Sequence, residues 1–445
     1  MTAHREMRSS RRLWGFRIAA VLVGLSTFGL LELLCWAFDW GRSDEQPDPF
    51  VGFRQIRPLF VLDREGESGP PGQRYHIPKG RRLFFAPDSF LARKPENGFR
   101  IFCLGGSTVQ GRPFSKETSF PTWLRLALEA AEPDRDWEVV NCGGVSYASY
   151  RLVPILKECL QYQPDLFIVC AGHNEFLEDR SYSDVKGKPQ IVVRSHRLLS
   201  HCRSYWVYRS ILLKLAGESE PEGSRHRTVL PAEVDARLDH RGGLESYHRD
   251  DQWRAAVVAH FEVNLRRMVS LACSAGTPLI FVLPPSNLSD CPPFKSEHRR
   301  GFTERQRSEW ERLIEQARRR YRTDVAAAAR LLRQALTLDN RYALTWYEFG
   351  QCLETLRQYD QARQAFLRAR DEDVCPLRMI SELDRAMRRV AAETKRPILD
   401  AHRLLEGQCP HRILGDYLLV DHVHPSFRGH QIIANALADV MAERG

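Results

Sequence analysis

Ser107, Asn174, Asp421 and His424 are the residue types that covalent acyl transfer uses, each in a short local context that suits the work. Ser107 lies in Gly105-Gly106-Ser107-Thr108, and Asp421 and His424 stand three apart in Asp421-His422-Val423-His424-Pro425. Between them come Asn141-Cys142-Gly143-Gly144-Val145-Ser146 and Gly172-His173-Asn174-Glu175. A serine hydroxyl is a poor nucleophile until a base takes its proton, and an imidazole such as that of His424 can do so. A carboxylate such as Asp421 fixes the tautomer of that imidazole and stabilises the imidazolium. The oxyanion that forms needs hydrogen-bond donors. The N–H of Ser107, an N–H from Gly143, Gly144 or Ser146, and the amide of Asn174 are the candidates. Glu175 is expected to brace the Asn174 loop. This chemistry calls for no metal or cofactor.

The elements that must position these groups are legible as alternating patterns. Apolar runs suited to buried parallel strands cover Ile101–Leu104, Trp137–Val140, Leu166–Ala171, Leu279–Leu283 and Ile398–Leu399. Helical patterns cover Ser119–Ala131, Tyr150–Gln161 and Asp251–Ala275, and a last one, Ser426–Glu443, anchors the His424 turn from behind. Strand alternating with helix predicts an α/β fold with a doubly wound parallel sheet, whose strand C-termini carry the site. Ser107, Ser146 and Asn174 all follow such strands.

With these four blocks in this order, the sequence resembles the SGNH (GDSL-type) hydrolases, whose blocks are named for Ser, Gly, Asn and His. The resemblance implies a three-layer α/β/α sandwich with a short parallel sheet. It also implies Ser107 as nucleophile, Asp421 and His424 as the other triad members, and Ser107, the glycine block and Asn174 as oxyanion donors. Two blocks depart from the family pattern. Gly-Gly-Ser-Thr replaces Gly-Asp-Ser-Leu, and Ser146 stands where the last glycine of Asn-x-Gly-x-x-Gly is usual. The implied activity is that of a serine esterase acting on acyl or acetyl esters of a glycan or lipid. Two alternatives stay open: O-acetyl transfer to an envelope polysaccharide with the same triad, and an interaction scaffold with weak or no catalysis.

The expected organisation is a basic cytoplasmic tail over 1–17, a transmembrane helix over 18–38 and a juxtamembrane linker or collar over 39–97. The hydrolase then runs over 98–300 and 396–445, interrupted by a helical insert over 301–395. Residues 18–38 are almost wholly apolar and long enough to span a bilayer, with Arg5, Arg8, Arg11, Arg12 and Arg17 ahead of them. This predicts a single-pass anchor in the inner (cytoplasmic) membrane with the catalytic region on the periplasmic or extracellular side. No A-x-A cleavage site follows the apolar run. Glu32, near the exported end, is expected to reach water or a partner helix.

Within the insert, Trp346, Phe349, Gly350, Leu353, Ala362, Phe366 and Ala369 resemble the tetratricopeptide pattern, with Ala328, Leu332 and Ala335 at the matching positions one repeat earlier. A protein partner at this insert is the corresponding expectation. A flanking helix is expected over Pro376–Glu393, and the insert either overhangs the site or braces the loop that delivers His424. Residues 180–250 are expected to form a lid or a variable surface loop. The net charge of +9 fits a basic exported surface, and no nucleic-acid-binding signature accompanies it. Of the 11 cysteines, Cys103, Cys142 and Cys170 fall in or beside predicted core strands, and Cys202 with Cys291 are candidates for a disulfide.

Overall fold

The computed structural model describes residues 3–38, 40, 55–56, 58–63, 73–178, 199, 202–205, 207–208, 211, 229–230 and 243–443. Two compact units make up the chain, residues 1–54 with 187–228, and residues 55–186 with 229–445. Most of the segment expected as a lid, including His196 and His201, lies outside the described residues.

In the first unit, helix α1 runs over Ala3–Ala37. Its exposed side chains include Leu22, Val23, Leu30, Leu33 and Trp36. Among the described residues no helix is long and apolar enough to cross a membrane, so the expected span over 18–38 finds support here only as a helix. Of the two expectations for Glu32, the structure fits a helical partner, the turn at 203–205. Its carboxylate accepts hydrogen bonds from the Ser204 hydroxyl at 2.6 Å and from the N–H groups of Arg203 at 2.7 Å and Ser204 at 2.9 Å.

The second unit is built on five parallel strands: β1 (Gly98–Gly105), β2 (Asp136–Gly143), β3 (Leu166–Cys170), β4 (Leu279–Leu283) and β5 (Ile398–Asp400). Their order across the sheet is β5-β4-β3-β1-β2, every neighbouring pair parallel. β3 and β4 are buried along their whole length, which is why they read in the sequence as continuous apolar runs. The direction of winding reverses between β1 and β3, the place where doubly wound sheets open a crevice.

Helices cover both faces, giving three layers. On one side α3 (Phe120–Ala131), α11 (Ala401–Glu406) and α12 (Phe427–Ala442) bury Phe120, Leu124, Leu405, Ile433 and Leu437 against Ile101, Ile168 and Val282 of the sheet. On the other lie α4 (Ser149–Cys159), α5 (Asp251–Ser274) and α10 (Ser381–Glu393), with α5 packed between the other two. Between β1 and α3 the short α2 (Ser107–Gln110) starts at the serine itself.

Residues 58–63 and 73–97, expected as linker, are part of this unit. Three short strands there form an antiparallel meander. Glu158 of α4 takes the N–H groups of Leu59 and Phe60 at 2.7 and 2.9 Å. Arg100 of β1, fully buried, donates to Glu138 at 2.7 Å, to the Tyr162 carbonyl at 2.6 Å and to the Leu91 carbonyl at 2.7 Å. A buried guanidinium is tolerated because its donors are satisfied in this way.

The insert forms four helices, α6 (Glu304–Tyr321), α7 (Val325–Leu338), α8 (Ala343–Thr355) and α9 (Tyr359–Glu372), paired α6 with α7 and α8 with α9. They share one apolar core in which Trp310, Leu332, Leu353 and Phe366 are buried. The helix expected over Pro376–Glu393 begins only at Ser381, and residues 373–380 run as an irregular segment. Cys202 and Cys291 are both free thiols, as are the other nine cysteines, so the expected disulfide is not formed.

Candidate active site

Ser107 opens α2 directly after β1, with Gly106 as the residue that turns the chain. His424 and Asp421 lie in the turn before α12, which Ser426 caps by accepting from the Gly429 N–H at 3.3 Å. The sheet and α12 therefore bring together residues 317 apart in sequence: the Ser107 hydroxyl lies 2.7 Å from His424 Nε2. On the far side of the ring, His424 Nδ1 is 2.6 Å from Asp421 Oδ2. The other carboxylate oxygen accepts the N–H groups of Val423 at 2.9 Å and His424 at 2.8 Å, so the turn clamps its own carboxylate.

Burial raises the Asp421 pKa, but the His424 hydrogen bond and charge and the two N–H groups outweigh it and hold the carboxyl well below the usual range. Asp421 is thus a carboxylate at any working pH. With it on Nδ1, the Nδ1–H tautomer is favoured, and Nε2 faces the serine as acceptor. His422 is the second imidazole at this carboxylate, 3.5 Å from Oδ1. Burial pushes its pKa down to about 4, with Asp421 opposing.

The glycine block resolves by elimination of its N–H groups. Gly143 donates to the Asn141 side chain at 2.9 Å, Gly144 to the Gly105 carbonyl at 2.9 Å, Val145 to the Phe84 carbonyl at 2.8 Å and Tyr147 to the Gly144 carbonyl at 3.1 Å. Among the described residues the Ser146 N–H has no partner. The Gly143 and Gly144 N–H groups are thus engaged within the protein. Ser146 has a φ of 62°, the left-handed conformation that the glycine usual at this place would adopt freely. The Asn174 amide donates one N–H to the Tyr147 carbonyl at 3.1 Å, which leaves the other for a ligand. The absence of a side chain at 106 makes room for that amide: a Cβ there would lie 2.5 Å from Asn174 Nδ2.

Glu175 braces the neighbouring loop, as expected, and through a specific partner. Its oxygens accept the Ser149 N–H at 3.0 Å and the Ser149 hydroxyl at 2.7 Å, linking the segment that carries Asn174 to the start of α4 just beyond Ser146. Burial pushes its pKa up to about 7, with the two Ser149 bonds pulling the other way.

Three residues near the site carried no assignable signal in the sequence. His173 is buried, its Nδ1 accepting the Met379 N–H at 3.1 Å. Burial holds it well below the ordinary histidine range, so it is neutral. Asn287, beyond β4, donates its N–H to the His422 carbonyl at 2.9 Å and its side-chain amide to the Asp421 carbonyl at 3.2 Å. Arg378 holds the carbonyl of Asn287 at 2.8 Å. The signals that could have pointed to them are faint: Asn287 follows a predicted strand, and Arg378 is one arginine in a region rich in arginines. A separate cleft of about 1010 Å³ lies on the insert, lined by Trp310, Arg312, Arg318 and Tyr342 among others, and includes none of the residues around Ser107.

No protein-family profile matches the chain, and no curated protein does. Among solved structures it is similar to LAE5, an α/β hydrolase from the metagenome of Lake Arreo, Spain, at 13% identity over 79% of this chain and 97% of that one, with a TM-score of 0.34. It is also similar to a lipase/acylhydrolase from Enterococcus faecalis at 13% identity over 78% of this chain and 96% of that one, TM-score 0.34. An acetyl xylan esterase from Geobacillus stearothermophilus gives the same figures, 13% identity, 78% and 96% coverage and a TM-score of 0.34.

Proposed function

We propose that the chain is a serine ester hydrolase of the SGNH type, acting on acyl or acetyl esters of a glycan or lipid. The observation that carries this reading is the continuous relay from Ser107 Oγ to His424 Nε2 at 2.7 Å and from His424 Nδ1 to Asp421 at 2.6 Å. Ser107 Oγ attacks the ester carbonyl carbon as its proton passes to His424 Nε2. The tetrahedral oxyanion rests on the N–H groups of Ser107 and Ser146 and on the Asn174 amide. Collapse expels the alcohol, whose oxygen takes the proton back from Nε2, and leaves an acyl ester on Ser107. Water, deprotonated in turn by His424, attacks that ester, and Ser107 departs reprotonated as the acid is released.

The test is turnover of p-nitrophenyl acetate, with labelling of Ser107 by a fluorophosphonate probe. Ser107→Ala and His424→Ala are each expected to reduce turnover at least about 10³-fold, and Ser107→Ala to abolish labelling. A wild-type chain that neither hydrolyses the ester nor takes up the probe would overturn the proposal.

Attachment to a membrane through residues 18–38, with the catalytic region on the side away from the arginine-rich tail, belongs to the same proposal. Its support is the apolar composition of that stretch and the exposed leucines and Trp36 of α1. The full chain is expected to stay with membranes on extraction at alkaline pH. Release into the supernatant would remove this part. A protein partner at the insert rests on the sequence pattern over 346–369 alone.

A further inference from the structure

The segment Asp373–Ile380, which closes the insert and leads into α10, touches both loops of the site. Met379 donates its N–H to His173 Nδ1 at 3.1 Å, fixing the residue next to Asn174. Its side chain packs on Gly172, where φ is 130° and a Cβ would lie 3.0 Å from the Met379 sulfur. Arg378, the residue before Met379 and only 2% exposed, reaches the other loop, donating to the carbonyls of Asn287 at 2.8 Å and Cys291 at 2.7 Å. Asn287 in turn holds the carbonyls of Asp421 and His422 through its side chain and its N–H. Two bonds therefore separate the guanidinium of Arg378 from the turn that aims His424 at Ser107.

The segment is itself anchored. The Asp373 carboxylate lies 3.5 Å from Arg378 and accepts the N–H groups of Phe294 at 2.8 Å, Lys295 at 3.0 Å and Cys375 at 3.0 Å. Phe294 bridges back, with the Arg378 guanidinium 5.9 Å from its ring and its edge against His422 at 5.3 Å. A buried guanidinium whose donors reach two backbone carbonyls holds loop backbone in place.

We propose that Arg378 is a positioning residue of the hydrolytic site, setting the Asp421–His424 turn through Asn287, and that the insert is by this route part of the catalytic framework. This rests on the serine hydrolase reading above. Displacing a reacting group by about 1 Å costs on the order of 10²-fold in rate, so loosening this turn lowers kcat and leaves substrate binding nearly intact.

The experiment compares the full-length wild type with two variants. Asp373→Asn/Arg378→Met removes both buried charges together and leaves neither charge unpaired, while the remaining amide oxygen still accepts the Lys295 and Cys375 N–H groups. Arg378→Lys keeps the charge beside Asp373 but not the two-carbonyl reach. With p-nitrophenyl acetate, the double variant is expected to lose about tenfold to a hundredfold in kcat with KM within about twofold, to label more slowly with fluorophosphonate, and to show a displaced acid limb in its pH profile. Arg378→Lys is expected to fall between it and wild type. If either variant, folded by circular dichroism, matches wild type in kcat and acid limb, Arg378 has no positioning role. If the lysine variant loses as much as the double variant and both lose activity only in proportion to unfolded protein, the role is structural and the proposal fails. A wild type inactive towards both ester and probe would instead sink the hydrolase assignment, and this inference with it.

Discussion

Asn174 leans into the space that a side chain at position 106 would fill, so the choice of glycine before Ser107 and the placement of the amide proposed to bind the oxyanion are one fact seen from two sides. Gly106→Ala is expected to push the amide away and to behave as a milder Asn174→Ala. The latter removes one of the proposed oxyanion donors and should lower kcat by about 10²–10³-fold with little change in KM. An equal loss in KM would show that Asn174 binds ground-state substrate instead. Ser146 makes a contrasting case, since its contribution to the proposed site is a backbone N–H. Ser146→Gly should keep full activity and gain slightly in stability, because glycine adopts the observed φ of 62° without strain. Ser146→Val, β-branched, should lose about 1–2 kcal/mol at the same place. Steady-state kinetics with thermal denaturation separates the two, and an inactive Ser146→Gly would show that the hydroxyl matters.

At the scale of elements, Glu175 ties the loop after β3 to the first turn of α4. Its pKa, pushed up by burial to about 7 from an ordinary 4.5, means that the folded protein keeps a proton which the unfolded chain has already released. Its contribution to stability is complete below about 4.5 and is lost as the pH rises through about 7, with a slope of at most about 1.4 kcal/mol per unit. Urea denaturation across that window should flatten in Glu175→Gln, which is neutral throughout. Parallel slopes in wild type and variant would sink the assignment. The same elements show what a sequence can and cannot disclose. β3 and β4 were legible because strands buried on both faces leave an unbroken apolar run. Ser107, Asp421 and His424, which the structure brings into one hydrogen-bonded row, were singled out in the sequence because acyl-transfer chemistry restricts the residue types. Which of the Gly143, Gly144 and Ser146 N–H groups are engaged was not legible, because it depends on the Asn141 side chain and the Gly105 carbonyl accepting the first two. Residues 376–380 carry a helical pattern yet stay irregular, with Met379 and Arg378 held instead by His173 and by Asn287, the latter 91 positions before Arg378. No local pattern encodes such a bond.

At the scale of the whole molecule, eleven free cysteines mean that burial and hydrogen bonding, with no covalent cross-link, hold the fold. Thermal unfolding is accordingly expected to be indifferent to added reductant, and a Tm lowered by several degrees would reveal a bridge. Among these thiols Cys273 is exposed and should react first with a thiol reagent under native conditions. The insert interrupts the sheet between β4 and β5, and this has a consequence for how the chain could have come by it. Closing a longer loop costs only about 0.6 kcal/mol for each doubling of its length, so a helical module placed between these two strands is almost free in chain entropy. A site assembled across such a junction can accept a new module without losing its fold, and each later bond from the newcomer to a catalytic loop makes the module harder to remove. On the reading proposed above, the hydrogen bonds of Arg378 to Asn287 and of Met379 to His173 are of that kind. An addition that the sheet could once tolerate would by this route become a part that the reaction cannot do without.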